Sequence, residues 1–263
     1  MGKKKVSEMV KHRNIFIDGS ISKGVDKKIA NDLFDQMVLF AEYCFNKSHS
    51  TAYGAVTYQT AFLKAHFPVA YMAALLSVNS GSTDKMQRYI SNCYSMGIEV
   101  ISPSINLSGI DFTIKEKQIL FGLSAIKNLG DSAINNIIEN RTKKGIFKSL
   151  SDLCDRLPAN ILNKRNLESL IHCGALDEFS ENNNRAQLIS DLETVMEWAS
   201  SRNRDRISGQ GNLFYSSDQN SNSVFLQTKS SKVNDYSLIE KLRLEKQLLG
   251  FYLSDHPLKH LAK

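Results

Sequence analysis

The chain has 263 residues, of which 42% are hydrophobic and 23% charged, a balance that supports a packed core and excludes a chain disordered throughout. Four prolines and fourteen glycines are too few for an all-β protein of many tight turns, and a formal net charge of +6 points to an anionic partner. Secreted, membrane and zinc-finger classes are disfavoured: no apolar run approaches the roughly 18 residues that cross a bilayer, Lys3-Lys4-Lys5 precedes no apolar signal core, and the four cysteines form no Cys-x-x-Cys pair.

Charge is unevenly spread. Residues 1–30 carry 8 Lys/Arg against 3 Asp/Glu, and residues 114–150 carry 7 against 3, so two separate basic segments are offered to a polyanion. The first periodic element follows Asp26, a candidate cap for a helix whose apolar stripe is Ile29, Ala30, Leu33, Phe34, Met37, Val38 and Ala41. A polar break at Asn46-Lys47-Ser48-His49-Ser50 separates it from a second helix over about 51–65. Pro68 suits the first turn of a third helix reaching Val78. Ser82 or Thr83 caps a fourth, which Gly97 ends.

Residues 98–101 read as extended. Phe112-Thr113-Ile114 and Ile119-Leu120-Phe121 read as the two arms of a small hairpin. Helical spacing resumes at Leu123 and continues, with breaks, to about Ala199. Residues 200–235 are rich in Ser, Asn, Gln, Asp and Arg and read as a flexible linker. A last helix over 236–249 carries Leu238, Ile239, Leu242, Leu248 and Leu249. The fold class expected is mainly α, with one small β-hairpin.

Catalytic patterns are scarce. There is no phosphate-loop motif, no nucleophile elbow and no His-Glu-x-x-His. Asp191 and Glu193 are expected to be solvated surface, and no carboxylate cluster of the kind two-metal phosphoryl transfer needs is present. Binding signals are clearer. From Gly122 to Arg141 the spacing places a short apolar helix, a tight turn at Asn128-Leu129-Gly130, and a second helix with Ala133, Ile134, Ile137 and Ile138 inward. Gly130 is expected to permit φ > 0. The turn amides and the N-terminus of the second helix would then make an anion site, with Lys127, Arg141, Lys143 and Lys144 supplying positive charge nearby. An ordinary αα-hairpin with a glycine turn is the plain alternative.

Two further segments carry binding signals. In the segment from Phe45 to Tyr53, Lys47 and His49 can donate to phosphate, as can the Ser48 and Ser50 hydroxyls; a capping loop without a ligand is the alternative. Leu213-Phe214-Tyr215 is an apolar island in the linker, suited to a partner's groove or to an incidental packing point.

Taken together and in order, these segments resemble the C-family of bacterial replicative DNA polymerases, the polymerase III α subunits. Phe45-Asn-Lys-Ser-His49, Tyr58-Gln-Thr60 and Leu63-Lys-Ala-His66 resemble the fingers signature. Phe121-Gly-Leu-Ser-Ala-Ile-Lys127 onward is similar to the helix-hairpin-helix, except that Asn128 stands where a first glycine is usual. Asn163 to Ile171 and Gly174 to Asp177 are similar to the helices that follow. Gln210-Gly-Asn-Leu-Phe214 resembles an internal sliding-clamp motif, and Leu249 to Leu258 the approach to an OB-fold region.

The resemblance implies fingers over 1–110, a helix-hairpin-helix region over 111–200, a linker with the clamp motif over 201–235, and the start of the OB-fold approach over 236–263. It implies Asn46, Lys47, Ser48, His49 and Ser50 on the template or nucleotide side. Lys127, Asn128, Leu129, Gly130, Ser132 and Arg141 would lie on duplex phosphate, and Gln210, Leu213 and Phe214 on the clamp.

The implied partners are primer–template DNA, the sliding clamp, the rest of the polymerase and other replisome subunits, in the bacterial cytoplasm and without membrane. No cofactor is expected in this chain, since Mg²⁺ and the catalytic aspartates would belong to a palm outside it. The chain is therefore expected to be an inactive fragment of a DNA-directed DNA polymerase. The rival is a stand-alone helix-hairpin-helix DNA-binding or scaffold protein.

Overall fold

The computed structural model describes residues 6–43, 46–208, 231–255 and 257. Ten α-helices and one three-stranded sheet are found among them, so the class is mainly α. The chain divides into two compact units, 1–62 and 63–263.

In the first unit α1 (Val6–Ile21) packs on α2 (Lys27–Tyr43). The Asp26 carboxylate caps α2, accepting from the Lys28 amide at 2.7 Å. Of the expected α2 stripe, Ala30 and Phe34 are buried, whereas Ile29 and Leu33 remain 60% and 48% exposed. The contact is narrow: Phe16 meets Phe34 with ring centroids 5.6 Å apart, and Arg13 lies over Phe34 while pairing with Asp35 at 2.7 Å. Helix α1 has no counterpart in the sequence expectations, because its apolar residues form no stripe. Ile17 is buried, but Val10 and Ile15 point to solvent.

Helix α3 (Lys47–His66) begins four residues earlier than expected, so the polar break is its first turn. The division between the units falls within α3, and no residue of it is buried.

The second unit has one core. Helices α4 (Pro68–Val78) and α5 (Thr83–Ser95) start where Pro68 and the Ser82–Thr83 pair predicted and pack on each other, and Gly97 at φ +70° ends the second. Strands β2 (Thr113–Lys115) and β3 (Gln118–Leu120) form the expected antiparallel hairpin, with Ile114 opposite Ile119. The extended stretch supplies β1 (Val100–Ile101), which adds to β3 in parallel, so the sheet order is β1-β3-β2. Phe121, just after β3, touches Phe112 and Phe251 at 4.7 and 5.9 Å.

Helices α6 (Asp131–Lys144), α7 (Leu150–Arg156) and α8 (Lys164–His172) follow, and the long α9 (Arg185–Ser208) lies across α7 and α8. Helix α9 passes the expected limit near Ala199 by nine residues. Residues 231–235, also expected to be linker, are tied to its start: Asn184 and Gln187 bond the Val233 backbone, and the Ala186 amide donates to Asp235 at 3.3 Å. Helix α10 (Leu238–Leu249) packs on α8. It buries Leu242, Leu248 and Leu249 as expected, but Leu238 and Ile239 are exposed and the fourth buried position is Glu245.

That glutamate is buried because it is paired. Arg185 donates to Glu245 at 2.9 Å and to both Asp177 oxygens at 2.8 Å, and Glu245 also accepts from the Ser254 hydroxyl. Asp191, expected on the surface, is likewise buried, accepting from Gln187 Nε2 at 3.1 Å; Glu193 is exposed and faces Lys164.

Candidate nucleic-acid interface

The helix preceding the hairpin is shorter than its spacing suggested: Leu123–Ala125 makes a single 3-10 turn, with Leu123 and Ile126 buried. In the turn that follows, the left-handed residue is Asn128 at φ +67°, not Gly130, which sits at φ −83°. Asparagine tolerates this region because its short amide finds local partners. Here Asn128 Nδ2 donates to Ser169 Oγ at 3.2 Å, and the Asn128 carbonyl accepts from Asn166 Nδ2 at 2.6 Å.

Gly130 serves another purpose. It is the N-cap of α6 and offers no side chain to cap it, and the helical ladder starts only at the Ile134 amide, which donates to the Gly130 carbonyl. The amides of Asp131, Ser132 and Ala133 therefore lack the helical partners that later residues have. The Asp131 and Ser132 side chains are exposed, while Ala133, Ile134 and Ile137 anchor the helix in the core. This end of α6 has the geometry that suits an anion, with the Asp131 carboxylate of its first turn as an opposing charge.

The basic residues divide. Lys127 is exposed beside the turn; its ammonium donates to the Gln247 carbonyl at 3.1 Å and its amide to Leu248, which fixes the turn against the end of α10. Arg141 does not join it. Its guanidinium is drawn inward to the carbonyls of Ile105 and Ser108, at 2.7 and 2.5 Å, and burial lowers its pKa. In this arrangement it clamps residues 105–108. Lys143 and Lys144 stand in the last turn of α6, about 20 Å from its start at 1.5 Å per residue. Leu129 is buried, so only its backbone borders the site.

Sequence reasoning missed what lies on the other side of the turn. Asn163 and Asn166 form a reciprocal capping box at the start of α8, with Lys164 and Arg165 exposed between them. Lys127 and Arg165 are each the chain neighbour of a residue in the Asn128–Asn166 contact. Asn163 and Asn166 at N-cap and N3 were the available signal, obscured because such a box usually has Ser or Thr with Glu or Gln.

The other candidate group is brought together by the first turn of α3. Asn46 Oδ1 accepts from the Ser48 amide at 2.9 Å, Ser50 Oγ donates to the Asn46 carbonyl, and the His49 ring lies 4.2 Å from that of Tyr53. Lys47 is exposed. Helix α3 has no acidic residue and leaves Tyr53, Val56, Tyr58, Phe62 and Leu63 open. Gln210, Leu213 and Phe214 lie outside the described residues. Among the described residues no group of three or more His, Cys, Asp or Glu is placed to hold a metal ion, and no helix is long and apolar enough to cross a membrane.

A helix-hairpin-helix motif family matches residues 97–188, which covers the turn, α6, α7 and α8. Whole-chain comparison finds proteins named DNA polymerase III subunit alpha. The one from Thermus aquaticus is 45% identical over 257 residues, 98% of this chain and 20% of the relative. That from Deinococcus radiodurans is 45% identical over 262 residues, 98% and 19%. That from Pseudomonas aeruginosa is 39% identical over 278 residues, 98% and 23%. The chain thus corresponds along nearly all its length to one section of these relatives and spans about a fifth of their length.

Proposed function

We propose, from this collinear similarity to polymerase III α subunits, that the chain is part of a replicative DNA polymerase, in which it carries a duplex-binding module and a helical fingers surface. In the whole enzyme the reaction is nucleotidyl transfer: the primer 3′-hydroxyl attacks the α-phosphate of a template-selected dNTP and pyrophosphate leaves. The Mg²⁺ that assists it would be held by a palm outside this chain, and no carboxylate cluster among the described residues fits that role.

The observation that carries the binding role is the uncapped start of α6 beside the left-handed Asn128 turn and exposed Lys127. Amides at a helix start donate to phosphate oxygens without reading a base edge, so the grip is independent of sequence. The Lys47–Ser50 turn of α3, with no carboxylate in its helix, would face the template strand or the nucleotide. Gln210, Leu213 and Phe214 would tether the sliding clamp, raising the local concentration of DNA around the polymerase. The cytoplasm is the compartment this reading implies. The stand-alone scaffold is not favoured, since similarity to the polymerase runs along 98% of the chain and not only through the hairpin.

Fluorescence anisotropy with labelled duplex tests the binding role. Affinity is expected to fall linearly with salt on a log–log scale, equally for unrelated sequences, and Lys127→Gln should reduce the slope by about one. Salt-independent binding, or a strong preference for one sequence, would overturn it.

A further inference from the structure

The helix-hairpin-helix turn is held from outside its own hairpin. Its left-handed residue uses both backbone and side chain to reach α8: the Asn128 carbonyl takes the Asn166 Nδ2 proton at 2.6 Å, and Asn128 Nδ2 reaches Ser169 Oγ at 3.2 Å. Asn166 and Ser169 are 8% and 3% exposed, so the α8 ends of these bonds are buried, while Asn128 itself is exposed and the bonds are part-buried. A hydrogen bond to a fixed, buried partner has one geometry, and its loss leaves that buried polar group unsatisfied. Asn166 is itself held rigidly, because its Oδ1 accepts from the Asn163 amide at 3.1 Å and its own amide donates to Asn163 Oδ1 at 3.0 Å.

We infer that Asn166 is a positioning residue for duplex binding. It makes no phosphate contact itself. Its amide fixes the Asn128 peptide, and through it the direction of Lys127 and of the first amides of α6. A non-glycine residue at φ +67° needs such support, since without it the turn can relax toward the ordinary right-handed region. The ligand served is the sugar–phosphate backbone of duplex DNA. This inference rests on the duplex-binding reading above and adds to it a residue 38 positions away in sequence from the turn it controls.

Two single-charge variants of the 263-residue chain separate positioning from mere stability or charge. Asn166→Asp keeps an acceptor for the Asn163 amide but has no proton for the Asn128 carbonyl. Asn163→Asp keeps an N-cap acceptor, adds the same charge one turn away, and leaves the Asn128 bond intact. Measured by anisotropy on the same duplex, Asn166→Asp is expected to bind about tenfold more weakly, with a log–log salt slope shallower by about one. Asn163→Asp should lose no more than about threefold and keep its slope.

If the two variants share one affinity and one slope, the positioning role is overturned while duplex binding stands. If the parent chain itself shows no salt-dependent duplex binding, both fall. Circular dichroism verifies folding. If Asn166→Asp does not fold, Ser169→Ala decides, since it removes the second bond without adding charge. A loss of about threefold at unchanged melting temperature supports the role, and unaltered binding overturns it.

Discussion

Gly174 ends α8 at φ +85°, and a Cβ there would collide with Arg185 Nη2 and stand 3.1 Å from Asp177 Oδ2. The residue is glycine for two reasons, its backbone angle and the guanidinium lying against it. Gly174→Ala should push Arg185 from Asp177 and Glu245 and leave buried charges short of partners, at a cost of about 3 kcal/mol in urea unfolding. A loss below about 1 kcal/mol would mean that the ion cluster tolerates displacement. Asp191 teaches the same lesson. Sequence spacing treated it as solvated, but Gln187, one helical turn away, supplies a hydrogen bond that offsets part of its burial. Asn128 is the residue that turns left-handed, whereas Gly130, where a positive φ was expected, keeps a negative one.

Among the elements, those with a local start or stop signal were legible. Pro68 and the Ser82–Thr83 pair marked the beginnings of α4 and α5, Asp26 that of α2, and two short apolar runs joined by charged residues marked the β2–β3 hairpin. Helix α1, lacking a continuous apolar stripe, was not. Helix α6 shows why a basic residue on a helix is a poor guide to its role. Arg141 stands in its last turn, but its guanidinium donates to the carbonyls of Ile105 and Ser108. Arg141→Gln should therefore cost about 1–3 kcal/mol in stability, because buried carbonyls lose their donor. The salt slope of duplex binding should stay unchanged. A slope reduced by one at unaltered stability would return Arg141 to the phosphate surface.

On the scale of the whole molecule, the expected division of labour concerns what the chain does apart from catalysis. With Mg²⁺, dNTPs and a primed template, the 263-residue chain is expected to bind duplex without extending the primer, as followed by gel electrophoresis of labelled primer. Extension that survives further purification and disappears with Lys127→Gln would overturn this division. The mainly helical class, the hairpin and the likeness to polymerase III α subunits all followed from the sequence by itself, because they depend on periodicity, capping and ordered motifs within short windows. Tertiary structure alone decided that Arg141 faces inward, that β1 joins β3 in parallel, and that Asn166 and Ser169 hold the hairpin turn. Each of these depends on partners some 20 to 40 residues apart. No local pattern encodes such a contact, since it exists only when packing of the core brings its two halves together.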